Sequence, residues 1–146
     1  MTGTRSPRLY TPSVLALATG LAAFPLDDRL PLRAEARSRT CGSDIILGLE
    51  LTPSGRIVRV GLQVRACAIG QASAALLAQD ARGRAAEDVA LTLHGLEAWL
   101  EGAGDMPDWP DLALLAPARD HPARHGALLL PWKAASKALS CGAAAG

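Results

Sequence analysis

Apolar positions along this 146-residue chain switch between two periods, and the switches mark out its elements. Tyr10, Val14, Leu17 and Leu21 recur at steps of three and four after Thr11-Pro12-Ser13, which predicts an amphipathic first helix with a proline-compatible start. Arg5 and Arg8 ahead of Val14–Phe24 also have the outline of an export signal. Ala22-Ala23-Phe24 is a poor small-x-small cleavage site, and the helical spacing favours a packing helix.

From Leu32 to Arg39 the period becomes two. Leu32, Ala34, Ala36 and Ser38 share one face, and Arg33, Glu35, Arg37 and Arg39 the other, which predicts a half-exposed strand. Ile45, Leu47, Leu49 and Leu51 form the apolar face of a second strand. Thr52-Pro53-Ser54-Gly55 then turns the chain into a third, with Val58, Val60, Leu62 and Val64 inward. Three strands with short links imply an antiparallel meander with one wet face.

At Cys67 the period becomes helical again. Ile69, Ala72, Leu76 and Leu77 mark one helix ending near Arg82-Gly83; Val89, Leu93, Leu96 and Leu100 mark another, stopped by Gly102-Ala103-Gly104. Leu112 and Leu115 form a short helix. Leu128, Trp132, Ala135 and Leu139 form the last stripe, which Pro131 should distort. The expected class is α+β: an N-terminal helix, a three-stranded antiparallel meander, and a C-terminal helical layer packed on the sheet. One domain is expected over residues 9–139, with flexible tails at 1–8 and 140–146.

Composition narrows the function classes. Hydrophobic residues at 49% and charged residues at 20% suit a packed core. With aromatics at 3%, that core must be mostly aliphatic, and Trp99, Trp109 and Trp132 are expected in core or rim packing. A net charge of +1 without a Lys/Arg run points away from nucleic acid. No stretch reaches the roughly 20 apolar residues that span a bilayer. Three widely spaced cysteines, Cys41, Cys67 and Cys141, do not make a disulfide framework, so a reducing, cytoplasmic setting is expected. No Ser, His and Asp set in a strand-to-helix setting suggests a hydrolase.

Cys41 falls between the first two strands, beside Gly42, and Cys67 falls where the third strand becomes a helix. A thiol at a helix N-terminus meets the positive end of the helix dipole, which favours thiolate. The hairpin of the second and third strands places the start of one beside the end of the other, so Cys41 and Cys67 should converge. Two convergent thiolates suit a soft metal, sulfide or persulfide sulfur. The plainer reading, two small buried hydrophobes, stands beside it.

Thr40-Cys41-Gly42, Ala66-Cys67-Ala68-Ile69-Gly70-Gln71-Ala72-Ser73, Pro122-Ala123-Arg124 and Leu130-Pro131-Trp132-Lys133 resemble the U-type iron–sulfur cluster assembly scaffolds (IscU, SufU and the NifU N-terminal domain). SufU-like members are the most similar. The resemblance, over about residues 9 to 139, implies a protein that holds an assembling iron–sulfur cluster, or zinc, with three cysteines and one Asp at one end. Cys41 and Cys67 match the first two cysteines. The Asp position holds Ser43, with Asp44 one step further and so on the other strand face. The third cysteine position holds Ala127, and the His that precedes it in IscU-like members is replaced by Gly126, with His125 one residue earlier.

Candidate ligands are therefore Cys41, Cys67, Asp44 and His125, with His121, His94 and Cys141 as weaker ones. The implied cargo is a transient iron–sulfur cluster, or zinc, or none. Implied partners are a cysteine desulfurase and cluster-accepting proteins, with the chain a monomer or weak homo-oligomer and not an enzyme. Arg33, Arg37 and Arg39 are a solvated face or a contact for an acidic partner. The alternative is a metal-free binding module of the same fold that regulates such a partner.

Overall fold

The computed structural model describes residues 9–39 and 42–145, with side chains described as far as Ser140. Helix α1 (Pro12–Gly20) runs through one 3-10 turn into strands β1 (Leu32–Arg37), β2 (Asp44–Leu51) and β3 (Ile57–Arg65). Helices α2 (Ala68–Asp80) and α3 (Ala86–Leu100) follow, then two 3-10 segments (Leu112–Asp120 and Pro122–Arg124) and α4 (His125–Ala145). This is the α+β order read from the sequence. The α4 backbone continues past Leu139, where a tail was expected to begin.

The start of α1 follows from its cap. The Val14 amide donates to Thr11 Oγ1 at 3.1 Å, and Pro12 occupies the first turn, where no donor is missed. Val14 is buried and Leu17 and Leu21 are half-buried, whereas Tyr10, expected on the same stripe, is 40% exposed. Tyr10 precedes the helix, so helical periodicity does not govern its direction.

The sheet has the order β1-β2-β3, antiparallel throughout. Ala34 and Ser38 of the first strand region, with Ile45, Leu47, Leu49 and Leu62, are buried on the inner face. One inward position is corrected. A bulge between Glu50 and Leu51 pairs Leu51 with Ile57 rather than with Val58. A bulge adds one residue to one strand and so reverses the facing beyond it. Ile57 is therefore the buried residue at that end, and Val58 is half-buried.

Helix α4 packs on β1 and β2, and α3 packs on α4. Helix α2 lies in the middle, against α1, α4 and β3. Ile69, Gly70 and every residue from Ala72 to Ala78 are buried. A helix covered on all sides loses its polar face, so α2 is a central core helix rather than the one-faced helix that its spacing suggested. The α4 stripe of Leu128, Trp132, Ala135 and Leu139 is buried as expected. Pro131 lies inside α4 without ending it.

The meander's outer face is not wholly wet. Gly48 and Gly61 are cross-strand partners, and Leu30, 3% exposed, fills the slot they leave. A Cβ on Gly61 would come within 2.6 Å of both Leu30 Cδ1 and the Pro25 carbonyl oxygen. The segment before β1 thus folds back over half of the sheet.

Candidate functional site

The strand register brings the start of β2 and the end of β3 together: Arg37, Asp44 and Arg65 are consecutive cross-strand partners. The turn before β2 closes through Ser38 N donating to the Ser43 oxygen at 2.8 Å and Gly42 N donating to the Ser38 oxygen at 3.0 Å. Gly42 takes a φ of 71°, the left-handed region that glycine occupies without strain. Cys41 lies outside the described residues. The nearest described residues on either side, Arg39 and Gly42, lie between β1 and β2 at the end of the sheet from which β3 leads into Cys67.

Cys67 is the N-cap of α2, with extended backbone, and its side chain makes no capping hydrogen bond. It is a free, half-buried thiol. The helix begins at once behind it, with Gln71 N donating to the Cys67 carbonyl at 3.0 Å. Gln71 Nε2 reaches back to the Ala66 carbonyl at 2.9 Å, so one side chain ties the strand end to the helix start. Nothing in the sequence pattern singles out that role for Gln71. The thiol therefore stands at the amide end of a helix, with its sulfur unengaged by the cap.

Ala127, in the first turn of α4, faces this same helix start. It is buried, and its Cβ lies 3.2 Å from where a Gly70 Cβ would stand, with its carbonyl oxygen at 3.3 Å from that point. Gly70 is what lets α4 come so near. Pro131 has no N–H to give the Ala127 carbonyl in the α-helical pattern. Position 127 thus lies against the turn that Cys67 caps, but it contributes a methyl, which binds no metal.

The other candidates are placed differently. Ser43 is buried and hydrogen-bonded or otherwise engaged. Asp44, one step on, lines the outer face with Arg37, Gln63 and Arg65, as the strand alternation requires. His125 opens α4, and its Nε2 lies 3.1 Å from the Ala118 carbonyl oxygen and 2.9 Å from that of Arg119. Facing two acceptor carbonyls, Nε2 donates its N–H and is not free to bind a metal. Residues two apart on a helix point about 200° apart, so His125 does not substitute for residue 127. His94 is exposed, 3.6 Å from Glu97. The His121 Nε2 is buried without a hydrogen-bond partner among the described residues. Cys141 has no described side chain.

Among the described residues, no three His, Cys, Asp or Glu side chains gather as a metal-holding group. The donor set near Cys67 does not complete a four-ligand site: the resemblance's Asp position is a serine and its third cysteine position an alanine. Among the described residues, no helix is long and apolar enough to cross a membrane.

No protein-family model matches the chain, and no curated protein matches it. Solved structures do. The N-terminal part of a nitrogen-fixing NifU-like protein from Brucella abortus superposes with a TM-score of 0.83 at 25% identity, covering 90% of this chain and 92% of that one. A protein assigned as an iron–sulfur cluster assembly scaffold for the SUF system, from Fervidobacterium islandicum AW-1, gives a TM-score of 0.81 at 21% identity. That match covers 90% of this chain and 96% of the other. The chain has the fold of these U-type proteins, in agreement with the resemblance read from its sequence.

Proposed function

We propose that this chain is an iron–sulfur cluster assembly scaffold-like protein, which receives sulfur, iron or a cluster at Cys41 and Cys67 and passes it on. The observation that carries the reading is Cys67: a half-buried thiol, free of any capping bond, at the head of a central helix in a fold shared with NifU-like and SufU proteins. The unpaired amides of a first helical turn stabilise negative charge on a sulfur placed there. In sulfur receipt, the Cys67 thiolate attacks the outer sulfur of a donor persulfide. The donor's S–S bond breaks, a new S–S bond forms on Cys67, and the donor leaves as a thiolate, so no outside oxidant or reductant is needed.

A cysteine desulfurase is the donor class that the resemblance implies, in a cytoplasmic setting, with cluster-accepting proteins downstream. Iron or zinc is cargo here. Two thiols leave either metal under-coordinated, so water or a partner's side chain would complete the shell and binding would be labile.

The second reading is a metal-free binding module that regulates a desulfurase or another assembly protein. Ala127 and Ser43 favour it, since each removes a donor from the position where the resemblance expects one.

One experiment separates the two. The protein is incubated anaerobically with a desulfurase and cysteine, and the wild type, Cys67→Ala and Cys41→Ala are compared by mass spectrometry and by iron, zinc and labile-sulfide analysis. The first reading expects an added sulfur of about 32 Da or bound metal in the wild type, lost in Cys67→Ala. Desulfurase binding that survives both substitutions, with no sulfur or metal on the wild type, establishes the second. Metal that persists in both cysteine variants rejects the site.

A further inference from the structure

The chain covers half of its own sheet face and leaves the other half open, although the two halves carry similar chemistry. Over the covered half, Leu30 fills the Gly48–Gly61 slot with Leu26 beside it. Carboxylates on the same segment meet the strand arginines: Asp28 lies 3.3 Å from Arg33, and Asp27 lies 3.6 Å from Arg59. Arg33 also donates to the Asp27 carbonyl at 2.9 Å. Leu26 to Leu30 is therefore a turn, closed by Leu30 N donating to the Asp27 carbonyl at 3.1 Å and by Arg29 Nη2 on Asp27 at 3.0 Å, which lays apolar anchors and two carboxylates over a sheet face bearing arginines.

The open half repeats that face without its cover. Arg37 and Arg65 flank Asp44 across the strands, and Glu35 and Gln63 flank Ile46 in the adjacent row. These residues line a concavity of about 470 Å³. Arg37 and Arg65 are exposed, Ile46 is half-buried, and neither arginine makes an ion pair among the described residues. Arg39 follows β1 in the turn and is exposed, and Lys137 reaches the β1 edge, donating to the Glu35 carbonyl at 3.3 Å. Glu35 and Asp44 offset part of this charge, so the excess is positive but modest.

We propose that the open half docks a short acidic turn segment of a partner protein, with one apolar side chain seated on Ile46 and carboxylates over Arg37 and Arg65. The chain's own Leu26–Leu30 segment is the physical precedent, because it satisfies the neighbouring half of the same face with that chemistry. Asp44 excludes a carboxylate from the centre of the row, which sets the spacing of the two outer ones. The surface goes beyond the sulfur-handling reading and does not depend on it. It also lies at the sheet edge that leads into Cys67, so a partner held there is held near the thiol.

The test is an NMR titration of the full ¹⁵N-labelled chain. The probe is a capped pentapeptide with a central leucine between paired aspartates. Controls replace the leucine by serine or the aspartates by lysines. Expected are salt-sensitive amide shifts confined to residues 35–37, 44–46 and 63–65, lost with the serine and lysine peptides. The double variant Arg37→Gln/Arg65→Gln should bind about 5-fold or more weakly, as two rim charge pairs allow, with unchanged thermal stability. No shifts at millimolar peptide, shifts elsewhere, or binding undiminished in the double variant would overturn the proposal. So would a larger response to anionic lipid vesicles or oligothymidylate than to the peptide.

Discussion

Ser73 and Trp132 are joined by a buried hydrogen bond: the indole Nε1 donates to Ser73 Oγ at 2.9 Å, and the same hydroxyl donates to the Leu128 carbonyl at 2.6 Å. Trp132 also meets Trp109 edge-to-face at 4.8 Å, and Trp109 Nε1 donates to the Leu76 carbonyl at 3.0 Å. These contacts fasten α4 to α2 just beyond the turn where Ala127 faces Gly70. Ser73→Ala leaves the indole N–H and the Leu128 carbonyl without that hydroxyl. The expected loss is about 1–3 kcal/mol, read as a lower midpoint in urea unfolding with an unchanged slope.

Ala127→Cys tests the geometry of the site directly. Position 127 is buried against the turn that Cys67 caps, so a thiol there adds a third soft donor. Zinc retained after gel filtration of the reduced protein is expected to rise severalfold over the wild type, and Cys67→Ala in the same background should abolish the gain. Zinc retention equal to that of the wild type would mean that residue 127 does not face the cysteine site.

Gly61→Ala should destabilise the sheet's covered half. The new methyl would meet Leu30 Cδ1 and the Pro25 carbonyl oxygen, each at 2.6 Å, and the oxygen belongs to backbone that cannot swing aside. Overpacking of this kind costs about 1–3 kcal/mol. Urea unfolding should show that loss, and hydrogen exchange should show faster opening of the Leu62 amide, which donates to the Phe24 carbonyl at 2.8 Å.

Asp27 gives the outer face a dependence on pH. Hydrogen bonds from the Arg29 side chain and then its backbone, with the charges of Arg29 and Arg59, hold its carboxyl down from 3.8 to about 2. A depressed folded value means that the carboxylate contributes stability above the unfolded pKa, and that the contribution is lost as pH falls through the folded one. The difference in melting temperature between wild type and Asp27→Asn should be full above pH 3.8 and vanish near pH 2. The pair is exposed, so 1 M salt should shrink the difference.

Local pattern by itself determined the order of elements, the meander and the buried stripe of α4, because period two and period 3.6 are read from neighbours in the chain. It also placed Cys67 at the change of period, where strand becomes helix. Four things needed the tertiary structure. The bulge that turns Ile57 inward depends on pairing with β2, which strand spacing does not encode. The burial of α2 on all sides depends on which helices surround it, and alanine serves an inner or an outer face alike. The meeting of Ala127 with Gly70, and the cover of Leu30 over Gly48 and Gly61, join residues far apart in sequence. Such contacts are set by packing volume and backbone approach, and a glycine or an alanine carries no sign in the sequence of what it is near.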